Sequence, residues 1–167
     1  MKQFAASLVL LLPLAAFSAE IPDSKFYRDA AEGGMAEVAM GKLAQQKAQS
    51  PSVKDYGAQM VNDHSAANDK LKALAHSKNI TLPANPSVAE MEAKSKLEAL
   101  SGQSFDKSYI KGMIQDHEQD IVEFKKEAAS GQDPDARAFA SATLPTMEAH
   151  LKKIQAIAVS AGVSVGG

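Results

Sequence analysis

The sequence predicts an all-α protein: four long antiparallel helices, one short helix between the pairs, and no strands. Three observations predict it. Ala, Lys, Glu, Gln, Leu and Met, all good helix formers, dominate the chain. Apolar residues recur at spacings of three and four over long segments, which is the period of one helix face. Pro, Gly, Asn and Ser cluster at a few boundaries and cut the chain into helix-sized pieces.

Residues 1–18 read as a secretory signal peptide. Lys2 supplies the positive start, and Phe4 to Phe17 is an apolar run broken by Ser7 and Pro13. Ala16 and Ser18 are the small residues of a cleavage site. The run falls short of the ~20 apolar residues that a spanning helix needs, and no later segment is apolar enough to cross a membrane. No Cys follows it, which excludes a lipid-anchored lipoprotein. The expected product is one domain over residues 19–167, periplasmic or secreted.

With no cysteine, such a domain holds together by packing alone. The formal net charge is −2, from 18 basic and 20 acidic residues mixed along the chain. There is no basic stripe for nucleic acid and no basic amphipathic segment for a membrane surface. Trp is absent and aromatics are few, which argues against a stacking platform for sugars or bases.

The first helix is expected over Ser24 to Gln49. The second starts after Pro51, with Ser52-Val-Lys-Asp55 as a capping box that uses Asp, and runs to Lys78. Asn79 is a left-handed stop, and Ile80 to Pro86, with two prolines, is an extended connection. A short third helix opens on the capping box Ser87-Val-Ala-Glu90 and ends near Ser101-Gly102. The fourth runs from Phe105 to Ser130 and stops at Gly131. The fifth has Asp133 as N-cap and Pro134 at its first position; it runs to Ser160, and the Gly-rich tail is expected to fray.

The connections between the first and second and between the fourth and fifth helices are short, so each pair must be an antiparallel hairpin. Two long hairpins joined by a longer crossover outline a ferritin-like four-helix bundle, with the short extra helix in the crossover. The hairpins also resemble copies of one unit. Gln46-Lys47-Ala48 before Val53 to Ala58 parallels Lys126-Glu127-Ala128 before Ala136 to Ser141.

One local pattern breaks the rule of apolar cores. Residues 60–64 read Met-Val-Asn-Asp-His and residues 113–117 read Met-Ile-Gln-Asp-His, and each His falls on the apolar face of its helix. Glu37 lies 12 residues before Gln49, and His64 lies 12 residues after Ser52. At ~1.5 Å per residue both stand ~18 Å from the turn. His117 sits at a matching height in the other hairpin, with His150 about one turn further along. Each long helix therefore brings one such residue to the same region.

Imidazoles with a carboxylate suit one transition metal ion, Zn, Cu, Fe or Ni. The candidate ligands are Glu37, His64, His117 and His150. Asp120 and Asn68, one turn beyond His117 and His64, are the expected supporting partners. Asp63 and Asp116 point about 100° away and are expected to reach solvent or a neighbouring helix. Met60, Met113 and Met147 each precede a His by about one turn and read as core packing. Gly34 and Gly41, with Ala30 and Ala44, read as close helix contacts. Pro145 should kink the fifth helix. A single core His is ordinarily a hydrogen-bonded structural residue; two repeated ones, a third nearby and a Glu at matching height bring the metal reading level with that one.

These residues resemble a bacterial family of exported ferritin-like domains of unknown function, often labelled outer-membrane proteins. The resemblance covers Phe26 to Ala158 and rests on Ala30 to Val38, Met60 to His64, Gly102 to Asp106, Met113 to His117, Leu144-Pro145 and His150-Leu151. It implies a helical bundle and export, and no established activity. Di-iron members of the wider fold carry Glu-x-x-His pairs, whereas Val61, Ile114 and Met147 stand three before the His residues here. The carboxylates that bridge paired irons are missing, so a single-metal site is the form expected.

The leading expectation is therefore metal binding or sequestration in the cell envelope, in a stress-related role. The alternative is a structural or interaction module, acting with an envelope protein partner or as a homo-oligomer. An enzyme comes third, because no nucleophile, phosphate loop or paired-carboxylate cleft is visible.

Overall fold

The computed structural model describes residues 22–164, so the expected signal peptide and the last residues of the tail lie outside the described residues. The helices are α1 (Ser24–Lys47), α2 (Pro51–Ser77), α3 (Val88–Glu98), α4 (Gly102–Ser130) and α5 (Pro134–Ser160). There is no strand among the described residues. α1 packs on α2 and α4 on α5 as the two hairpins; α1·α4 and α2·α5 contacts close the bundle, and α3 lies against α1 and α4.

Polar side chains at the two ends fix the topology. Asp106, at the start of α4, accepts from the backbone N–H groups of Gln49 at 3.0 Å and Ser50 at 2.8 Å. It thereby ties the α1–α2 turn to α4. At the opposite end Asp133, before α5, accepts from the Tyr27 hydroxyl at 2.8 Å and from Lys78 Nζ at 2.9 Å. α4 thus starts at the end where α2 starts, so α2 and α4 are parallel. Connecting two parallel helices takes a crossover along the length of the bundle, and residues 78–101 with α3 supply it.

Several boundaries differ from expectation. α2 begins at Pro51 with Ser50 as N-cap, so Ser52 to Asp55 is not a capping box; Pro at the first position needs no N–H partner and sets the start. α4 begins at Gly102, three residues early. The box at Ser87 and Glu90 is formed in both directions. Asn79 is left-handed, and Ile80 N–H bonds back to the Ala75 carbonyl at 2.9 Å, a Schellman stop with Ile80 packed beside Leu71. The start of the tail does not fray. Gly162 is left-handed, Val163 N–H reaches the Ala158 carbonyl at 2.9 Å, and the Val163 side chain is buried. α5 continues across Pro145 without a break.

Close helix approach in the first hairpin depends on glycine. A Cβ at Gly41 would stand 2.6 Å from the Gly57 carbonyl oxygen, and one at Gly57 would stand 2.7 Å from that of Gly41. Gly34 faces the Asn68 side chain, whose amide would have to move to admit a Cβ. The packing reading of these glycines therefore holds.

The apolar core is split. Met40, Val53, Tyr56, Tyr109, Met113 and Ile154 belong to a cluster toward the α1–α2 turn. Tyr27, Leu71 and Ala136, and Ile121, Phe124 and Met147, fill the other end. On every long helix one buried polar residue falls between: Glu37 after Ala31, His64 before Leu71, His117 before Ile121, His150 after Met147, while Asp106 and Glu127 are buried near the ends of α4. The bundle has a polar layer in mid-core.

Candidate metal centre

The four expected residues are all buried, with relative exposures of 4% for Glu37, 8% for His64, 1% for His117 and 0% for His150. One ring nitrogen from each of the three histidines lies within 4.8 Å of the others. Glu37 closes one side of the group. One of its oxygens is 3.3 Å from His64 Nε2, and the other is 3.3 Å from His117 Nδ1. These contacts are close but not aligned as hydrogen bonds, so both Glu37 oxygens and His64 Nε2 are buried without a hydrogen-bond partner. The hydroxyls of Tyr56 and Tyr109 are in the same condition.

His150 is not a turn away from the layer. Its Nδ1 is 3.4 Å from His117 Nε2. Counting residues from a turn ignores tilt and side-chain reach, and an imidazole easily covers one turn of helix.

The outer nitrogens of these two rings are occupied. His117 Nδ1 lies 2.9 Å from the Met113 carbonyl, which can only accept, so Nδ1 carries the proton. His150 Nε2 lies 2.8 Å from a carboxylate oxygen of Asp63 and donates to it. The supporting partners are therefore a backbone carbonyl and Asp63, rather than Asp120 and Asn68. Asp63 does turn away from the face of His64, as helix geometry requires, and the turn delivers it to α5. Asp120 and Asn68 instead line a cleft that His64, Phe26 and Met147 share.

Burial sets the charge states. It lowers His64 to about 3 and His117 to about 4, and the neighbouring imidazoles push both the same way. His150 is also lowered by burial, with Asp63 opposing. Burial would raise Asp63, but its hydrogen bonds with His150 and Gln59 hold it below the usual carboxylate range. Glu37 is raised well above that range by burial, with Asp120, Asp116 and Glu90 adding to the effect. At neutral pH the three imidazoles are neutral, and burial favours the protonated form of Glu37 over the charged one.

Neutral tautomers fixed in this way point two lone pairs, His117 Nε2 and His150 Nδ1, at the same space. With those tautomers the contact is repulsive unless a proton or a metal cation lies between the two nitrogens. Two nitrogens bound at ~2.0–2.1 Å to one tetrahedral ion would stand about 3.3–3.4 Å apart, which matches their separation. The three imidazoles, whose ligand atoms lie within 4.8 Å of one another, suit one borderline transition metal ion, and Glu37 stands beside them but outside that convergent set. Met60, Met113 and Met147 are buried in the apolar clusters, in keeping with a packing role. His76 is exposed on α2.

An all-α ferritin-like bundle with a layer of histidines and one glutamate in its core is the class that fold and site define. Residues 13–157 match the DUF4142 family, a domain of unknown function, and the chain belongs to that family. No curated protein matches it. Among solved structures, a DUF305 protein from Streptomyces coelicolor, described as secreted, is similar at TM-score 0.73 and 13% identity, over 87% of this chain and 96% of that one. A DUF305 fragment from Deinococcus radiodurans is similar at TM-score 0.69 and 11% identity, over 81% and 93%. CopM in its Cu(I)-bound form is similar at TM-score 0.69 and 14% identity, over 84% and 98%. CopM is also known in Ag-bound and Cu(II)-bound forms. Among the described residues no helix is long and apolar enough to cross a membrane.

Proposed function

We propose that this protein binds a single transition metal ion in its core and sequesters it in the cell envelope. The ligands are His64, His117 and His150, with Glu37 completing the set once it gives up its proton. The observation that carries the reading is the pair of imidazole lone pairs, His117 Nε2 and His150 Nδ1, held face to face at 3.4 Å by partners on their other nitrogens. A metal there supplies the positive charge that the neutral donors lack. Copper is favoured by the fold shared with CopM, which binds Cu and Ag; the same donors also suit Zn, Ni or Fe. A signal peptide at residues 1–18 would carry the chain out of the cytoplasm, consistent with a stress-related role in the envelope.

A structural or interaction module is the second reading. It is favoured by the fact that His117 and His150 each already have a hydrogen-bond partner. Metal content and melting temperature of the tag-free mature domain separate the two. Near-stoichiometric metal that raises the melting point by roughly 8–10 °C at a hundredfold excess over Kd, and is lost in His64→Ala/His117→Ala, is the expected result. No bound metal and no shift with Cu, Zn, Ni or Fe would leave the structural reading in its place.

A further inference from the structure

A cavity of about 330 Å³ opens between α1, α3 and α4, with Glu37, Glu90, Asp116 and Asp120 on its walls. Glu37 forms part of its floor: 4% exposed, with neither oxygen in a hydrogen bond, it faces this cavity on one side and His64 and His117 on the other. The other three carboxylates form the approach. Among the described residues, none of them pairs with a lysine or arginine. Glu90 is held by its capping box, in which Oε2 accepts from Ser87 N–H at 2.7 Å. Its Oε1 is left near Gly33, where a Cβ would stand 3.7 Å from Glu90 Oε1 and 3.9 Å from Asp120 Oδ2. Glu90 and Asp120 thus face the same point of α1, at ordinary van der Waals distance from where a Gly33 side chain would begin.

We propose that this cavity is a cation vestibule, which holds a hydrated divalent cation on Glu90, Asp116 and Asp120 and passes it by way of Glu37 to the histidines. The passage rests on the metal-binding reading above; the holding of a hydrated cation does not. Hydration follows from two observations. Only the three histidines bring three ligand atoms within 4.8 Å of one another among the described residues, so the carboxylates do not enclose a bare ion. The cavity, at ~30 Å³ per water, has room for an ion with its water shell. Carboxylates around a concave, low-dielectric wall concentrate cations. Of the carboxylates on this wall, Glu37 is the one that stands 3.3 Å from both His64 and His117, so an ion exchanging water for protein ligands reaches the imidazoles beside it.

Two measurements on the mature domain test this. In Mn²⁺ titrations followed by NMR, the Gly33 and Ala93 amides should broaden first, and should still do so in His117→Ala. Asp116→Asn/Asp120→Asn should need at least tenfold more Mn²⁺. Stopped-flow uptake of Co²⁺ at low salt should slow at least tenfold in the same double variant, with its equilibrium affinity within twofold of wild type. Absence of selective broadening, or broadening unchanged by Asp116→Asn/Asp120→Asn, would overturn the vestibule. Selective broadening with an unchanged uptake rate would overturn the passage alone. Selective broadening with no Co²⁺ uptake in wild type would overturn the histidine reading and the passage while supporting the vestibule.

Discussion

His117 Nε2 and His150 Nδ1 face each other across 3.4 Å in the middle of the bundle, and the opposite nitrogen of each ring is already hydrogen-bonded. The Met113 carbonyl that holds His117 is part of the α4 backbone, and no side-chain substitution at Met113 removes it. Asp63 is a side chain and can be removed. The pair therefore has one permanent and one adjustable support.

Removing the adjustable one should loosen the site. Asp63→Ala frees His150 Nε2, so the ring can rotate or change tautomer and withdraw its lone pair. Partners of this kind contribute about 10–100-fold to metal affinity. Competition against a chromophoric chelator should show a loss of that size, and an unchanged Kd would remove Asp63 from the account.

Metal binding should release a proton. Burial favours the protonated form of Glu37 when the layer is empty, and a carboxylate must be ionised to ligate. Calorimetry in buffers of different ionisation enthalpy should show proton release on metal binding. Glu37→Gln should abolish the release. Release that persists in Glu37→Gln would place the proton on another group.

Asp120 should make the metal-free protein less stable as pH rises. Its carboxyl is raised from the usual 3.8 to about 7, by burial and by Asp116, Glu123 and Glu90. Below pH ~4 both the folded and the unfolded states hold the proton, and the residue costs nothing. Between pH ~4 and 7 only the folded state holds it, so its contribution declines as pH climbs through the folded value. Asp120→Asn removes this dependence. Urea unfolding should show the variant gaining roughly 2–4 kcal/mol on wild type between pH 4 and 8. A constant difference across that range would be the contrary result.

Asp106 should matter for stability and not for metal. Asp106→Ala strips the acceptors from the Gln49 and Ser50 N–H groups. Leaving partly buried donors unpaired costs roughly 1–3 kcal/mol. The urea midpoint should fall accordingly while metal stoichiometry stays at the wild-type value.

The helices were legible because their signals are local. Ser87 and Glu90 form the capping box their spacing implies, Asn79 stops α2, and Asp133 with Pro134 opens α5. Ser52 to Asp55 carried a similar signal but was overridden by Pro51 one residue earlier. The Val163 anchor was missed because a Gly-rich tail looks featureless until its valine finds a core to enter.

The sequence by itself determined that one buried polar residue rises from each long helix to mid-core, because a 3.6-residue period and hairpin connections leave those side chains nowhere else to go. Tertiary structure decided the rest. It brought His150 level with His117, chose the Met113 carbonyl and Asp63 as partners, and gathered Glu90, Asp116 and Asp120 around one cavity. Those outcomes depend on helix tilt, rotamer and the docking of α3 in the crossover. A distance of a few ångströms between helices far apart in the chain is set by how whole faces pack, and no local spacing encodes it.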